Sequence, residues 1–281
     1  MKAKVKIERI KKISSVVVLI VIVFPLIWMI YSSFREQGKL ISQDIKNIIP
    51  VLDEFSISSY KYVLEKGMLT FFKNSIISAC TVTLFSVVIS CMAGYALTRL
   101  KFRGSRIIGR IILFTYMIPP ILIVIPLFIV IVKLGLNNTL SGLILTHITF
   151  ALPFSIWLMR GFFLSLPPAI EEAALIDGAS LFGAFIKVVL PLSLPGISSI
   201  AIFSFILSWN EYLFASILLT SNRVKTLPVG IITTFTSDYM YSQDWVRLMS
   251  AAVLSSIPVM IIFIFLQRSI VSGLSAGAVK E

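Results

Sequence analysis

Six long stretches of apolar, almost uncharged sequence constrain this chain more than any other feature. A bilayer core about 30 Å thick is crossed by a helix of about 20 apolar residues, and a segment in lipid must satisfy its own backbone hydrogen bonds. The predicted spans are residues 13–34, 74–98, 111–132, 134–159, 188–219 and 248–267. The sequence therefore predicts an all-α polytopic membrane protein with six transmembrane helices. This transmembrane domain, 13–271, lies between a basic N-terminus, 1–12, and a tail, 272–281.

Composition and charge also indicate a membrane protein. The 281 residues are 57% apolar and 14% charged, whereas soluble domains are about 45–50% apolar and about 25% charged. The net charge of +12 lies mostly beside the apolar spans, so it indicates membrane topology rather than nucleic-acid binding. One His and two Cys argue against a metal site or a Cys-His catalytic site. No catalytic residue and no metal ligand is predicted.

The basic residues predict how the chain is oriented. Residues 1–12 could belong to a signal peptide, but the apolar run that follows is long enough to span and lacks a small-residue cleavage site. We interpret it as a retained first helix. The basic stretch from Arg99 to Arg110 falls on the same side, as do residues 160–187 and the C-terminal end. These four regions hold 15 of the 25 Lys and Arg residues, so the positive-inside rule predicts both termini in the cytoplasm.

The segment between the fourth and fifth spans, residues 165–191, has the punctuation of two short helices. Ser165 is predicted to cap the first helix, and the two prolines that follow suit its first turn. Gly178 is predicted to end that helix in a left-handed conformation. Ser180 then caps a second helix, which Pro191 interrupts. Such a rigid knob suits contact with a cytoplasmic partner; an ordinary interfacial loop is the alternative.

The same segment matches a known motif at several positions. The matching residues are Glu172, Ala173, Ala174, Asp177, Gly178, Leu190 and Pro191, with a mild departure at Val188. Three further stretches match elsewhere: YALTRLKFRG, SWNEYLFA and the ending QRSIVSGLSAGAVKE. Together they resemble ABC importer permeases of the carbohydrate-uptake type, in particular the maltose-type G subunit, whose EAA motif the segment 165–191 matches.

This resemblance implies a permease subunit of an ATP-driven, binding-protein-dependent importer for a sugar or oligosaccharide, in the cytoplasmic membrane of a bacterium or archaeon. It implies a second permease subunit, two ATPase subunits that each bind one EAA helix, and an external solute-binding protein. The chain has no G-x-x-x-x-G-K-[ST] loop, so ATP and magnesium are expected in the ATPase subunits. The chain itself is not expected to be an enzyme or to hold a cofactor.

Polar residues inside the fifth span are candidates for the solute pathway. Glu211 is an acid well inside the span, and an intramembrane ionisable residue is a functional-site hypothesis by default. Trp209, Asn210 and Glu211 are therefore predicted to line the pathway, because amide and aromatic groups suit sugars. A structural hydrogen bond to a neighbouring helix is the alternative for Glu211. His147 is predicted to make a hydrogen bond between helices.

Other interpretations stay open at this stage. An ion-coupled secondary transporter would need repeated halves and several buried ionisable groups, and a membrane-embedded enzyme would need a catalytic cluster; the sequence shows neither. Another polar solute, such as glycerol phosphate, is the alternative to a sugar. Pro119, Pro120 and Pro126 either kink the third span or line the pathway. Residues 220–247 are predicted to form a long outer loop that meets the binding protein or is simply solvated.

Overall fold

A computed structural model describes residues 2–35, 55–100, 102–235 and 243–278, and this part of the chain is helical without a β-strand. The α-helices are α1 Lys2–Ser33, α2 Ser58–Val63, α3 Leu69–Arg99, α4 Ser105–Tyr116, α5 Pro120–Lys133, α6 Leu140–Ser165, α7 Pro168–Ile176, α8 Leu181–Ala184, α9 Leu190–Leu192, α10 Leu194–Asn210, α11 Leu213–Leu218, α12 Leu227–Phe235 and α13 Gln243–Ala278. Two π-helical turns, Leu64–Met68 and Phe185–Val189, join α2 to α3 and α8 to α9. The predicted all-α class is confirmed.

Within the described residues, four helical segments are long and apolar enough to cross a membrane: Lys11–Ser33, Ser58–Arg99, Leu140–Ser165 and Trp245–Phe265. Two further segments pass the same test only as bent pairs, so the number reaches six if each pair is one span. The pairs are α4 with α5, bent by 100°, and the helix Leu181–Leu192 with α10, bent by 75°.

The first bent pair shows what the prolines do in the region predicted as the span 111–132. Pro119 is extended, with φ −57° and ψ 128°, and Pro120 is the first residue of α5. A residue that precedes proline is disfavoured in the helical region, so this dipeptide separates the two helices. Pro126 lies inside α5 without ending it. Of the two predicted alternatives, kinking of the span therefore applies to Pro119 and Pro120, while Pro126 lies within a continuous α5.

The second bent pair breaks two residues later than expected. Pro191 does not interrupt its helix, which continues to Leu192. The π-helical turn just before it, Phe185–Val189, changes the local hydrogen-bond pattern, which fits a residue that has no N–H to donate. The chain turns instead at Ser193, whose hydroxyl donates to the Val189 carbonyl at 2.7 Å.

Three other regions differ from the sequence interpretation. The basic N-terminus belongs to α1, and the tail is helical as far as Ala278. The region predicted as the outer loop 220–247 contains α12 and the start of α13. Its segment 238–241, part of the loop predicted either to meet a binding protein or to be solvated, lies outside the described residues, as do residues 279–281.

The chain divides into two compact units, residues 1–69 with 230–257 and residues 70–229 with 258–281. In the first unit the hydroxyls of Ser33 and Tyr60 lie 2.6 Å apart, and Ser250 donates to the Ser33 carbonyl at 3.0 Å. Arg247 lies 3.9 Å from the centroid of the Tyr62 ring. These contacts join α1, α2 and α13 within that unit.

The second unit contains two apolar clusters that position its functional features. One includes Leu143 of α6 and Ala215 of α11. The other includes Tyr95 of α3, Phe163 of α6 and Phe185 of the second π-helical turn. The helix α6 contributes to both clusters, so it is the common support of the α10–α11 region and of the segment around α7.

Candidate functional sites at α7 and at the α10–α11 break

The helix α7 begins and ends where the sequence places its signals, with one exception. Pro167 is the extended N-cap residue and Pro168 the first helical residue, an arrangement that loses no backbone hydrogen bond. Ser165 does not cap α7, so that prediction was wrong. It is the last residue of α6, and its hydroxyl donates to the Phe162 carbonyl at 2.7 Å. Two residues separate it from α7, too far along the chain for the capping position.

The C-terminal end of α7 is a Schellman motif. Gly178 has φ +88°, its N–H donates to the Leu175 carbonyl at 3.1 Å, and the Ala179 N–H donates to the Ala174 carbonyl at 3.0 Å. These bonds satisfy carbonyls that the helix end leaves free, and they require the left-handed conformation that glycine adopts most easily. Ser180 then caps α8 by accepting from the Gly183 N–H at 3.1 Å. The predicted roles of Gly178 and Ser180 are confirmed.

Two neighbouring glutamates of α7 have opposite environments. Glu172 is exposed, whereas Glu171 is buried. The Tyr95 hydroxyl donates to one carboxylate oxygen of Glu171, and Arg99 Nε lies 3.1 Å from the other. The sequence did not predict that Glu171 pairs with Tyr95 and Arg99. The basic motif YALTRLKFRG, which contains Tyr95 and Arg99, could have indicated that an acidic partner exists. Nothing in the sequence shows which of the two glutamates turns inward.

The exposed side of α7 carries most of the predicted coupling residues. Glu172, Ala173, Asp177 and Gly178 are exposed, and Ala174 is half-buried. Ile176, four residues after Glu172, is 86% exposed. Residues three and four apart share a helix face, so an apolar side chain stands beside a carboxylate on a surface open to a partner. Spacing alone could have identified Ile176, which the sequence analysis did not single out.

Two of the predicted residues lie outside this face. Leu190 is half-buried and packs on the cluster that contains Phe163 and Phe185, while Pro191 is exposed. Leu190 thus anchors the second short helix to the apolar interior.

The second feature is a cavity of about 750 Å³ beside the break between α10 and α11. Its wall combines five aromatic side chains with hydroxyl, amide, imidazole and carboxylate groups. The lining residues are Thr115, Tyr116, Ile118, Pro120, Ile123, His147, Thr149, Phe150, Pro153, Phe203, Leu207, Asn210, Glu211, Tyr212, Leu213 and Phe214. Rings with a few convergent polar groups are typical of small-molecule sites.

Glu211 holds the chain at this break. It follows the last residue of α10 in an extended conformation, with φ −69° and ψ 124°. Its carboxylate accepts from the backbone N–H groups of Phe214 at 2.7 Å and Ala215 at 3.0 Å. These amides belong to the first turn of α11, where N–H groups have no partner within the helix. The Glu211 side chain therefore caps α11 from the position just before its N-cap residue, Tyr212.

His147 connects this cap to α6. Its Nε2 lies 3.1 Å from a Glu211 carboxylate oxygen, and its Nδ1 lies 2.8 Å from the Ser208 hydroxyl. Because a carboxylate only accepts, the imidazole donates from Nε2. The hydroxyl of Ser78 lies 3.2 Å from that of Ser208 and extends the chain of contacts to α3. The predicted interhelical role of His147 is confirmed.

The three residues predicted to line a pathway are placed differently from one another. Asn210 and Glu211 line the cavity. Trp209 is 3% exposed, and its ring stacks on Phe205 at 5.5 Å and meets Phe72 edge-on at 5.7 Å. Trp209 is therefore part of the interior packing. No cluster of three or more His, Cys, Asp or Glu side chains suited to a metal ion occurs in the described parts of the chain.

Apolar spans, a cavity lined by aromatic and polar side chains, and a short helix with an exposed glutamate are features of a multi-pass membrane transport protein. More specifically, the chain belongs to the family described as binding-protein-dependent transport system inner membrane component, whose model matches residues 86–276. It is thus a permease of the ABC importer type and lies in the membrane as a multi-pass protein. Family membership decides against the ion-coupled transporter and the membrane-embedded enzyme.

Individual relatives match over nearly the whole length. The chain is 38% identical to the trehalose/maltose transport system permease protein MalG of Thermococcus litoralis, covering 95% of each chain. It is 33% identical to the diacetylchitobiose uptake system permease protein NgcG of Streptomyces coelicolor, covering 93% of this chain and 85% of the relative. Among solved structures, a bacterial ABC transporter involved in the import of alginate matches with a TM-score of 0.77 and 29% identity, covering 92% and 96% of the two chains.

Proposed function

We propose that this chain imports a sugar or oligosaccharide as one of two different permease subunits of an ATP-driven complex. The solute class is supported by one observation: the chain is similar over nearly its whole length to permeases named for saccharide uptake. The cavity supports it, because aromatic rings and uncharged polar groups such as Asn210 and Thr149 suit a molecule with apolar ring faces and many hydroxyls.

Energy reaches this subunit through α7. Two cytoplasmic ATPase subunits bind ATP and magnesium, and one of them docks on the exposed face with Glu172, Ala173, Ile176 and Asp177. Gly178 fixes the C-terminal end of that face. Leu190 and Pro191 belong to the helix after α7, which packs on the apolar interior. Ala174 is half-buried, between the exposed face of α7 and its buried face. A patch that mixes one apolar side chain with carboxylates suits a protein partner better than lipid. Because the ATPase subunits are cytoplasmic, α7 lies on the cytoplasmic side of the membrane, and both termini lie on that side with it.

The solute passes along the cavity, and an extracytoplasmic binding protein delivers it. Within the predicted set, Asn210 is the residue whose polar group is open to the solute. Glu211 supports the wall as the cap of α11, and Trp209 packs behind it.

Uptake by cells that lack this chain tests the solute class. Radiolabelled saccharides and glycerol phosphate are supplied separately to the deletion strain, to the same strain carrying the wild-type gene, and to the parent. We expect uptake of at least one saccharide to disappear in the deletion strain and to return with the gene. Unchanged saccharide uptake combined with lost glycerol phosphate uptake would refute the sugar assignment and favour the other solute.

A further inference from the structure

The contacts of Glu171 reach beyond α7. Its carboxylate accepts a hydrogen bond from Tyr95 and forms an ion pair with Arg99, and these two residues lie four apart on α3 and so share one face of that helix. Glu171 is 7% exposed. A buried carboxylate is retained in a fold only when charged or hydrogen-bonding partners compensate its lost hydration. The first glutamate of the pair is therefore an internal attachment point, whereas Glu172 faces outward.

Arg99 also binds the end of a third helix. Its terminal guanidinium nitrogen donates to the backbone carbonyls of Phe163 at 3.2 Å and Leu166 at 2.8 Å. These carbonyls lie at the C-terminal end of α6, where the helix supplies few N–H donors, although the Phe163 carbonyl also accepts from the Leu166 N–H at 3.3 Å. One guanidinium thus connects α3, the end of α6 and the first turn of α7. The planar guanidinium can contact the two carbonyls and the Glu171 carboxylate at once, whereas a lysine ammonium would not reach these three groups in the same geometry.

The packing around this point is tight. A Cβ atom at Gly94 would lie 3.1 Å from the Arg160 backbone nitrogen and 3.2 Å from the Met159 Cβ, so α3 and α6 approach closely. The Tyr95 ring centroid lies 4.5 Å from that of Phe185, in the π-helical turn after α8. Close-packed elements of this kind shift together rather than deform independently.

We propose that Tyr95, Arg99 and Glu171 form a clamp that makes α7 move as one body with the ends of α3 and α6. The proposal rests on the proposed coupling function of α7 and adds the route by which force leaves it. A displacement applied to the exposed face at Glu172 reaches the spans through these side chains as well as through the backbone connections. All three are positioning residues, since none of them faces the solute cavity or the exposed side of α7.

Two substitutions that change few atoms test the clamp in the full complex with its partner permease, ATPases and binding protein, reconstituted in liposomes. Tyr95→Phe removes a single oxygen, and Glu171→Gln keeps the size of the side chain but removes the ion pair with Arg99. The readouts are the amount of assembled complex, its ATP hydrolysis with and without binding protein plus saccharide, and solute imported per ATP. Glu65→Gln, at an exposed position outside the clamp, controls for loss of a carboxylate.

We expect both clamp variants to assemble, to hydrolyse ATP without the binding protein at the rate of the wild type, and to lose at least about fivefold in stimulation and in solute per ATP, the lower range of coupling between sites. The double variant should lose no more than the stronger single variant, because residues of one network are not additive. A purely stabilising role would lower the yield and leave the stimulation of the assembled complex unchanged, and this result in Tyr95→Phe would overturn the clamp even if Glu171→Gln failed to assemble. Glu172→Lys separates the two proposals: unimpaired ATPase binding in that variant would remove the docking role of α7, whatever the clamp variants show.

Discussion

Replacing Glu211 by alanine tests whether this acid supports the cavity wall or acts on the solute. The substitution removes the acceptor for the N–H groups of Phe214 and Ala215 and the partner of His147 Nε2. The helix α11 has only six residues, so it cannot replace these lost contacts with many bonds of its own. We therefore expect a less stable subunit, with the loss concentrated at the α10–α11 break.

The magnitude follows from the number of groups left unpaired. A buried donor without a partner costs about 1–3 kcal/mol, and loss of a helix cap typically costs about 1 kcal/mol. We expect water entering from the adjacent cavity to offset part of this cost at the two amides, so Glu211→Ala should destabilise the subunit by about 2–4 kcal/mol. Glu211→Gln keeps one carbonyl acceptor and should cost about half as much.

The adjacent residue supplies a matched control. Asn210 also lines the cavity and is exposed, and its side chain makes no hydrogen bond within the described part of the chain. Asn210→Ala should change stability by less than about 0.5 kcal/mol, while lowering uptake if its amide contacts the solute. The assay heats the detergent-purified complexes and measures the fraction that stays monodisperse, alongside uptake per assembled complex in liposomes.

We expect Asn210→Ala to be the most stable variant, Glu211→Gln to be less stable and Glu211→Ala to be the least stable. The two Glu211 variants should lose uptake mainly because less of the complex assembles. The opposite pattern would be decisive against the capping role. If Glu211→Ala were as stable as Asn210→Ala but transported poorly per assembled complex, its carboxylate would be acting on the solute instead of holding α11.

Three further predictions concern the segment around α7 and the tail. Gly178→Ala should destabilise the subunit by about 1–2 kcal/mol, because its φ is +88° even though the surrounding space is open. The same change should weaken ATPase binding in pull-downs. The control Gly161→Ala, at an equally open site with ordinary helical backbone, should stabilise the subunit by about 0.5–1 kcal/mol. Equal effects of the two changes would exclude the left-handed requirement. Glu172→Lys should abolish uptake and reduce ATPase co-purification while membrane insertion is unchanged, because the side chain is exposed; normal uptake would show that this face is not the docking surface. The family resemblance implies that the tail reaches between the two ATPase subunits, so deleting residues 274–281 should lower transport-coupled ATP hydrolysis in liposomes without removing the protein from the membrane. An unchanged rate would exclude this role for the tail.

The sequence by itself determined the features that depend on neighbouring residues. The apolar composition of the spans predicted an all-α membrane protein, because only a helix satisfies the backbone within one segment of that length in lipid. The limits of α7 were predictable for the same kind of reason. Proline fixes its own φ, and glycine permits φ above zero, so Pro168 and Gly178 mark the two ends wherever the helix lies in the fold.

Local signals were insufficient where several elements compete for one residue. Ser165 has the side chain of a capping residue, yet α6 continues through it. Pro191 has the signature of a helix break, yet a π-helical turn accommodates it and the bend falls at Ser193. In both cases the cost of a local preference is about 1–3 kcal/mol, which the packing of long apolar helices can exceed.

Only the tertiary structure decided which polar groups meet. Glu171 and Glu172 are adjacent and chemically identical, and the rotation of α7 against α3 selects the one that reaches Tyr95, 76 residues earlier in the chain. Glu211 was predicted as a pathway residue or a structural acceptor. The sequence could not decide between these roles, because the answer depends on His147, 64 residues away, and on the helix α11, which starts just after Glu211. Such pairings follow from how helices pack, and the packing depends on contacts along the whole chain rather than on the few residues around each site.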